Sequence, residues 1–234
     1  MLQACLNGGR KRDYHPALPL SADELAADAR AVIAAGAEQI HLHVRGADGK
    51  ESLHPDDVAR TLAAVRAAVP GVPLGLSTGW WIPPKGRARQ EHIRAWQTMP
   101  DYVSINLIEE DCAEVIGLAL SKGIGVEAGI WSPADAAKFI AHPDAARCLR
   151  VLIEINEQDL SVAMDAYRGV MAVLDRAGVR LLHGLDATMW DVYREALAAG
   201  LDARIGLEDG KHLPSGAIAE GNATLIRAAR ALAA

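Results

Sequence analysis

The run "QIHLHVRG", Gln39 to Gly46, sets two imidazoles one residue apart in an otherwise apolar segment. Side chains alternate faces along a strand, so His41 and His43 share a face with Arg45, while Ile40, Leu42 and Val44 take the other. A buried polar group left without a partner costs roughly 1–3 kcal/mol, so these heads need partners. Two neutral imidazoles on one face can hold a single divalent cation. The segment "ARIGLEDG" offers a third ligand, Glu208, which shares parity with Arg204 and with Gly206, a residue expected to leave room at the centre. Two histidines and one carboxylate leave a fourth position open, as in catalytic rather than structural zinc sites. Iron(II) uses the same donors, so the pattern specifies a divalent metal and not zinc alone. Asp209, if it lies in the loop beyond the strand, is placed to act as a general base held ionised by Arg204.

Other polar groups gather where apolar runs end. "LSTGWW" brings Ser77 and Thr78 to a turn whose backbone amides can hold a carboxylate or phosphate. "YVSINL" contributes Ser104 and Asn106. Glu127, within "GVEAGI", needs either donors at the site or a structural ion pair with an arginine. Arg10, in the basic stretch "GGRKR", is either solvated or an anion clamp. Asn7, Glu154, Asn156 and His183 also fall at strand ends. Trp80 and Trp81 read as loop packing, and His15, His54, His92, His142 and His212 receive no role.

The elements that must position these groups alternate with little interruption. Short apolar runs ("LQACLNG", "QIHLHV", "PLGLSTG", "YVSINL", "GVEAGI", "LRVLIEIN", "VRLLHGL", "DARIGLED") are each followed by an amphipathic stretch. Ser21 and Glu24 form a capping box for the first helix and Gly36 ends it. Further helices are expected from about His54 to Val69, Arg87 to Thr98 and Glu110 to Lys122. Ser132 and Pro133 start the fifth, and "DLSVAMDAYRGVMAVLDRAG" forms the sixth. Eight strand–helix units imply parallel pairing with right-handed crossovers, and so one (β/α)8 barrel spanning residues 1–234. An open doubly wound sheet is the competing layout. Active sites of such barrels lie at the C-terminal ends of the strands, where the polar groups above collect.

The chain has 234 residues, half of them apolar, and a net charge of -6, which argues against nucleic acid or an anionic membrane surface as main partner. No apolar run approaches a membrane span, and the N-terminus lacks the layout of a signal peptide. Cys5, Cys112 and Cys148 match neither a disulfide framework nor a zinc finger, so a reducing cytoplasm is expected. Barrels of this size commonly associate, so a homo-oligomer is expected, with no interface that can be named.

From residue 2 to the C-terminus the chain resembles the β-keto acid cleavage enzymes, the 3-keto-5-aminohexanoate cleavage enzyme family. The resemblance rests on "HPALPLSADELAADARAVIAAGAEQIHLHVRGADG", "LSTGW", "DYVSINL", "GVEAGI", "ARIGLEDG" and the tail "LPSGAIAEGNATLIRAA". It implies a zinc-dependent (β/α)8 barrel that converts a β-keto acid and acetyl-CoA into acetoacetate and a new CoA thioester by retro-Claisen exchange. By that resemblance His41, His43 and Glu208 hold zinc, Asp209 is the general base assisted by Arg204, and Ser77 and Ser104 hold the substrate carboxylate. Glu127 matches a further site position. Arg10 stands where members acting on an amino substrate carry an acidic residue, which implies exclusion of a cationic substrate tail. The segments "EINEQDL" and "HGLDATMW" lack the family's glycine-rich character, and His183 and Glu154 match no role that transfers.

Three other readings compete. A metal-dependent keto-acid aldolase or lyase without CoA would use the same charge stabilisation. An amidohydrolase-like hydrolase also uses HxH, but on its first strand, whereas here the pair is on the second. A non-catalytic metabolite-binding barrel would have no need of the intact His41, His43, Arg204, Glu208 and Asp209 set.

Overall fold

The structure, a computed structural model, describes residues 1–174 and 180–234. Eight strands, all parallel and paired in sequence order, close into a barrel: β1 (Leu2–Cys5), β2 (Gln39–Leu42), β3 (Leu74–Ser77), β4 (Tyr102–Asn106), β5 (Gly125–Ile130), β6 (Arg150–Ile155), β7 (Arg180–Gly184) and β8 (Asp202–Ile205). Around them run α1 (Ala22–Ala34), α2 (Pro55–Ala68), α3 (Arg87–Ala95), α4 (Cys112–Ser121), α5 (Pro133–Ile140), α6 (Leu160–Leu174), α7 (Met189–Ala198) and α8 (Asn222–Ala233). This is the (β/α)8 barrel expected from the alternation of runs, not an open sheet. No helix among the described residues is long and apolar enough to cross a membrane.

Local chemistry explains where the helices begin and end. The Ser21 hydroxyl accepts from the Glu24 amide while the Glu24 carboxylate accepts from the Ser21 amide, the reciprocal box that starts α1. Ser132 caps α5 in the same manner, with Pro133 at its first position. The third helix stops at Ala95, short of the expected Thr98, because Trp96 turns to extended backbone and buries its ring, its Nε1 donating to the Leu53 carbonyl at 2.9 Å. The fourth starts at Cys112 rather than Glu110. The expected end of the sixth helix, "DRAG", and the first residue of the seventh strand, Val179, lie outside the described residues.

The outward faces of the strands, Ile40 and Leu42 among them, join the buried faces of the helices in one continuous apolar layer. Polar groups fill the inside of the barrel. At its floor the Tyr102 ring lies directly against Gly75, where any Cβ would overlap it, and its hydroxyl donates to the Ile40 carbonyl at 2.7 Å. Glu127 belongs to this floor and not to the mouth. It is the third residue of β5 and lies in register with Arg150, the first of β6. Its Oε1 accepts from Arg150 Nε at 2.7 Å and from Gln3 Nε2 at 2.8 Å. Of the two readings of Glu127, the structure has the ion pair with an arginine.

Candidate active site

The second strand ends at Leu42, yet His43 stays aligned with His41. The side-chain amide of Asn7 imitates one more rung of the sheet, donating to the His43 carbonyl at 2.9 Å and accepting the His43 amide at 2.8 Å. His41 and His43 both reach the pocket described below, and Arg45 does not. The backbone of Arg45 bridges to Glu51, and its guanidinium donates to the carbonyls of Gly8 and Arg10, clamping the loop after β1.

Glu208 and Asp209 lie on a turn just past β8. Gly206 seats that turn: a Cβ there would collide with the Cys5 carbonyl, so the glycine permits the close approach of β8 to β1 rather than opening the centre. Asn222 pins the turn from below, its Oδ1 accepting from the Leu207 amide at 2.6 Å and its Nδ2 donating to the Leu6 carbonyl at 2.8 Å. The Glu208 side chain then crosses over Gly8, whose φ of 52° and missing Cβ leave the space.

These backbone devices bring three donors together. His41 Nε2 lies 3.7 Å from Glu208 Oε2 and His43 Nε2 lies 3.4 Å from Glu208 Oε1, with one donor atom from each of the three residues within 4.8 Å of the others. Glu208 Oε2 is buried and makes no hydrogen bond. His43 Nδ1 is held 2.6 Å from Glu51 Oε1, and Glu51 also accepts from Trp81 Nε1. A carboxylate on the far nitrogen of an imidazole fixes its tautomer and leaves the near nitrogen free as a ligand. Burial drives His41 well below its usual range, toward the neutral ligand form. Burial also works against a charged His43, but Glu208 and Glu51 outweigh it and lift that imidazole to about 9. The donor set and the unpartnered oxygen therefore fit a divalent cation, whose charge would replace that of the extra proton.

Beneath these donors, Arg204 Nη2 reaches Glu208 Oε1 at 2.8 Å and Asp209 Oδ1 at 3.2 Å. Burial would raise the Glu208 carboxyl, yet Arg204 and the two imidazoles hold it well below the usual carboxylate range. Asp209 is fully buried and also receives the Cys5 thiol, whose own pKa rises through burial and this contact. His183 Nδ1 lies 3.2 Å from Asp209 Oδ1, and His183 Nε2 lies 3.3 Å from Glu154 Oε2.

A pocket of about 320 Å³ opens above this cluster, lined by His41, His43, Glu208, Arg204, Glu154, Ser77, Ser104, Asn106 and Arg10, with Trp81, Trp131 and Asp186 among its other walls. Ser77, Ser104, Asn106 and Arg10 thus reach the wall as expected from their strand ends. Asp209 and Glu127 are not on it. Nor is Thr78, which instead staples β3 to β4 by donating to the Ser104 carbonyl at 2.8 Å. Arg10 donates to the Glu208 carbonyl at 3.1 Å, pairs with Asp186 at 2.8 Å and lies over the Tyr14 ring. Glu51 and Asp186 went unread in the sequence, and Cys5 was read there only as a free thiol. Asp186 alone left a trace there, in "HGLDATMW", and it holds a φ of 44° that few residues other than glycine adopt.

The chain matches the family model "beta-keto acid cleavage enzyme" over residues 1–171 and 162–234. It is 28% identical over 247 residues to the 3-oxoadipate:acetyl-CoA acetyltransferase of Cupriavidus necator H16, an alignment that covers 95% of this chain and 84% of that enzyme. It is also 28% identical over 95 residues to the 3-keto-5-aminohexanoate cleavage enzyme of Fusobacterium nucleatum, covering 41% of this chain and 34% of that one. Among solved structures, apo ObcA superposes with a TM-score of 0.74 at 17% identity, over 92% of this chain and 61% of ObcA. The chain therefore spans about a third of the Fusobacterium enzyme and less than two thirds of ObcA. The type I 3-dehydroquinate dehydratase of Clostridium difficile, with a TM-score of 0.64 at 10% identity, shares the barrel alone. Matched by its model from end to end, the chain belongs to the beta-keto acid cleavage enzyme family.

Proposed function

We propose that the protein is a metal-dependent acyltransferase that cleaves a β-keto acid with acetyl-CoA, releasing acetoacetate and a new acyl-CoA. The observation that carries this reading is the His41–His43–Glu208 group with its buried, unpartnered Glu208 oxygen at the floor of a pocket. The names of the relatives, a 3-oxoadipate:acetyl-CoA acetyltransferase and a 3-keto-5-aminohexanoate cleavage enzyme, support the same class of reaction. Zinc, or another divalent cation bound by those three residues, would supply Lewis-acid stabilisation of negative charge on the substrate's keto oxygen.

The chain's own residues do the rest. Ser77 and Ser104 lie in register on neighbouring strands and, with the Asn106 amide beside them, present donors to a substrate carboxylate. Arg204 holds Asp209, the deep carboxylate this reading assigns as general base, by a bond of 3.2 Å to its Oδ1. Arg10 guards the rim and disfavours a cationic tail, while its pairing with Asp186 leaves that rim nearly neutral. A neutral or anionic tail, as in 3-oxoadipate, is the expected preference. The three free thiols accord with a reducing cytoplasm.

The test is a panel of β-keto acids incubated with acetyl-CoA and the metal-loaded protein, reading acetoacetate and acyl-CoA by mass spectrometry. Formation of both products, fastest with a neutral or anionic tail, is the expected result. Cleavage that proceeds without acetyl-CoA would favour a lyase, and a preference for the amino substrate would reverse the role given to Arg10.

A further inference from the structure

We propose that Asp186 selects the tail of the substrate: by answering the charge of Arg10 it tunes the pocket to a β-keto acid with an uncharged tail and discriminates against a second carboxylate. The inference rests on the acyl-exchange reading above and narrows its substrate class.

The order of the strands sets the direction in which a substrate lies. Ser77 and Ser104, in register at the ends of β3 and β4, are separated from β7 and β8 by two strands on either side of the closed barrel. A β-keto acid whose carboxylate is held by these hydroxyls crosses the pocket above His41, His43 and Glu208, and its tail reaches the opposite wall. That wall is made by Leu185 and Asp186, just past β7, with Arg10 from the loop after β1. Trp131, after β5, and Leu152, in β6, add apolar surface on the way.

The polar end of that wall is a built pair. Arg10 Nη2 donates to both oxygens of Asp186, at 2.9 and 2.8 Å, while its Nε donates to the Glu208 carbonyl at 3.1 Å. The Tyr14 hydroxyl donates to Asp186 Oδ1 at 3.1 Å, and the Arg10 guanidinium lies 4.2 Å from the centre of the Tyr14 ring. The Asp186 amide donates to the Asp209 carbonyl at 2.6 Å, which ties this carboxylate to the turn that bears Glu208. Asp186 keeps that place at a φ of 44°, a conformation that residues with a side chain hold only where their surroundings impose it.

The pair decides what a tail meets. Facing Arg10 alone, an anionic tail would gain a charge-assisted, bidentate partner. With Asp186 beside Arg10, the same tail meets repulsion along with attraction, and a cationic tail meets the mirror image. Neither charge is repaid for the water it gives up. An uncharged tail has no charge to desolvate and gains contact with Leu185, Leu152 and Trp131. The side chains of Arg10 and Asp186 are 28% and 45% exposed, so a substrate can reach both, and solvent keeps the discrimination moderate.

The experiment compares three β-keto acids of equal chain length: 3-oxohexanoate, 3-oxoadipate and 3-keto-5-aminohexanoate. Acyl-CoA formation with acetyl-CoA gives kcat/KM for each, in the metal-loaded wild type, Asp186→Asn and Arg10→Gln. The ratios between substrates, rather than any single rate, carry the answer. The wild type should favour 3-oxohexanoate over both charged substrates by at least about fivefold. Asp186→Asn, which asparagine's tolerance of the left-handed backbone keeps foldable, should raise the ratio of 3-oxoadipate to 3-oxohexanoate by at least about fivefold, and added salt should shrink that gain. Arg10→Gln should instead raise the ratio of the amino substrate to 3-oxohexanoate. A purely structural role would lower all three substrates alike, so unmoved ratios in both variants overturn the proposal. A wild type that prefers 3-oxoadipate overturns it too, while leaving the acyl-exchange reading intact. If no substrate yields acyl-CoA, that reading fails, and the role of Asp186 goes with it.

Discussion

The barrel buries charge at both ends, and the two clusters differ in balance. At the floor two carboxylates, Glu127 and Asp202, face two cations, the Arg150 guanidinium and the Met1 amino group, with Gln3, Gln39 and Tyr102 supplying neutral contacts. At the mouth Glu208, Asp209 and Glu154 converge on Arg204. The floor answers its own charge, as a structural ion pair must when both ions are out of water. The mouth carries carboxylates that only protonated imidazoles or an added cation can answer. The contrast separates the two roles of buried charge: a cluster balanced within itself holds the fold, and one left with surplus charge is built to hold a ligand.

The largest expected effect breaks the mouth. His43→Ala should reduce bound metal from about one ion per chain to near zero and turnover by roughly 10³-fold or more, since several kcal/mol of charge stabilisation are lost. Metal content by mass spectrometry checks it, and metal retained by the variant would remove the reason for the surplus. The matching break at the floor is Glu127→Ala, which takes from Arg150 its nearer carboxylate and should cost about 3 kcal/mol in urea unfolding, with turnover per folded molecule within a few-fold of wild type. A loss of turnover without a loss of stability would make the floor part of the site.

A half-buried carboxylate outside both clusters sharpens the contrast, because Asn222 alone answers it among the described residues. Asp28 donates nothing and accepts one bond, 2.6 Å from Asn222 Nδ2, and burial raises it to about 6. The folded chain then holds this proton more tightly than the unfolded one, so stability falls as pH rises from about 4 through 6. Asp28→Asn keeps the acceptor and abolishes the charge. It should flatten that slope and raise stability at pH 8 by on the order of 2–3 kcal/mol, measured by denaturation from pH 4 to 8. The smallest effect is Glu51→Gln. It leaves the three ligands intact and should weaken metal binding roughly 10–100-fold, read by competition with a chromophoric chelator.

The barrel was legible because each strand–helix unit carries its own periodicity and caps, as Ser21 with Glu24 and Ser132 with Pro133 illustrate. The histidine pair was legible because two residues on one strand share a face. What escaped depends on relations between segments. The depth of Glu127 is set by how β5 is staggered against β6, which no single strand reveals. The strand ends at Leu42, and it is Asn7, from another segment, that holds His43 in line beyond that end. Glu51 lies in a loop that folds back on Arg45 and reaches His43 through no local pattern. Glu154 and His183 were visible as strand ends, but their pairing required the register of β6 on β7.

Gly206, pressed against the Cys5 carbonyl, has a kinetic consequence. The turn bearing Glu208 and Asp209 rests on the first strand, and the Cys5–Asp209 contact joins residues 204 positions apart. The three ligand donors therefore come together only when the last strand docks on the first, the longest loop closure in the molecule. A folding intermediate lacking that seam has helices and sheet but no metal pocket, so the appearance of tight metal binding during refolding is a clock for the closing of the barrel.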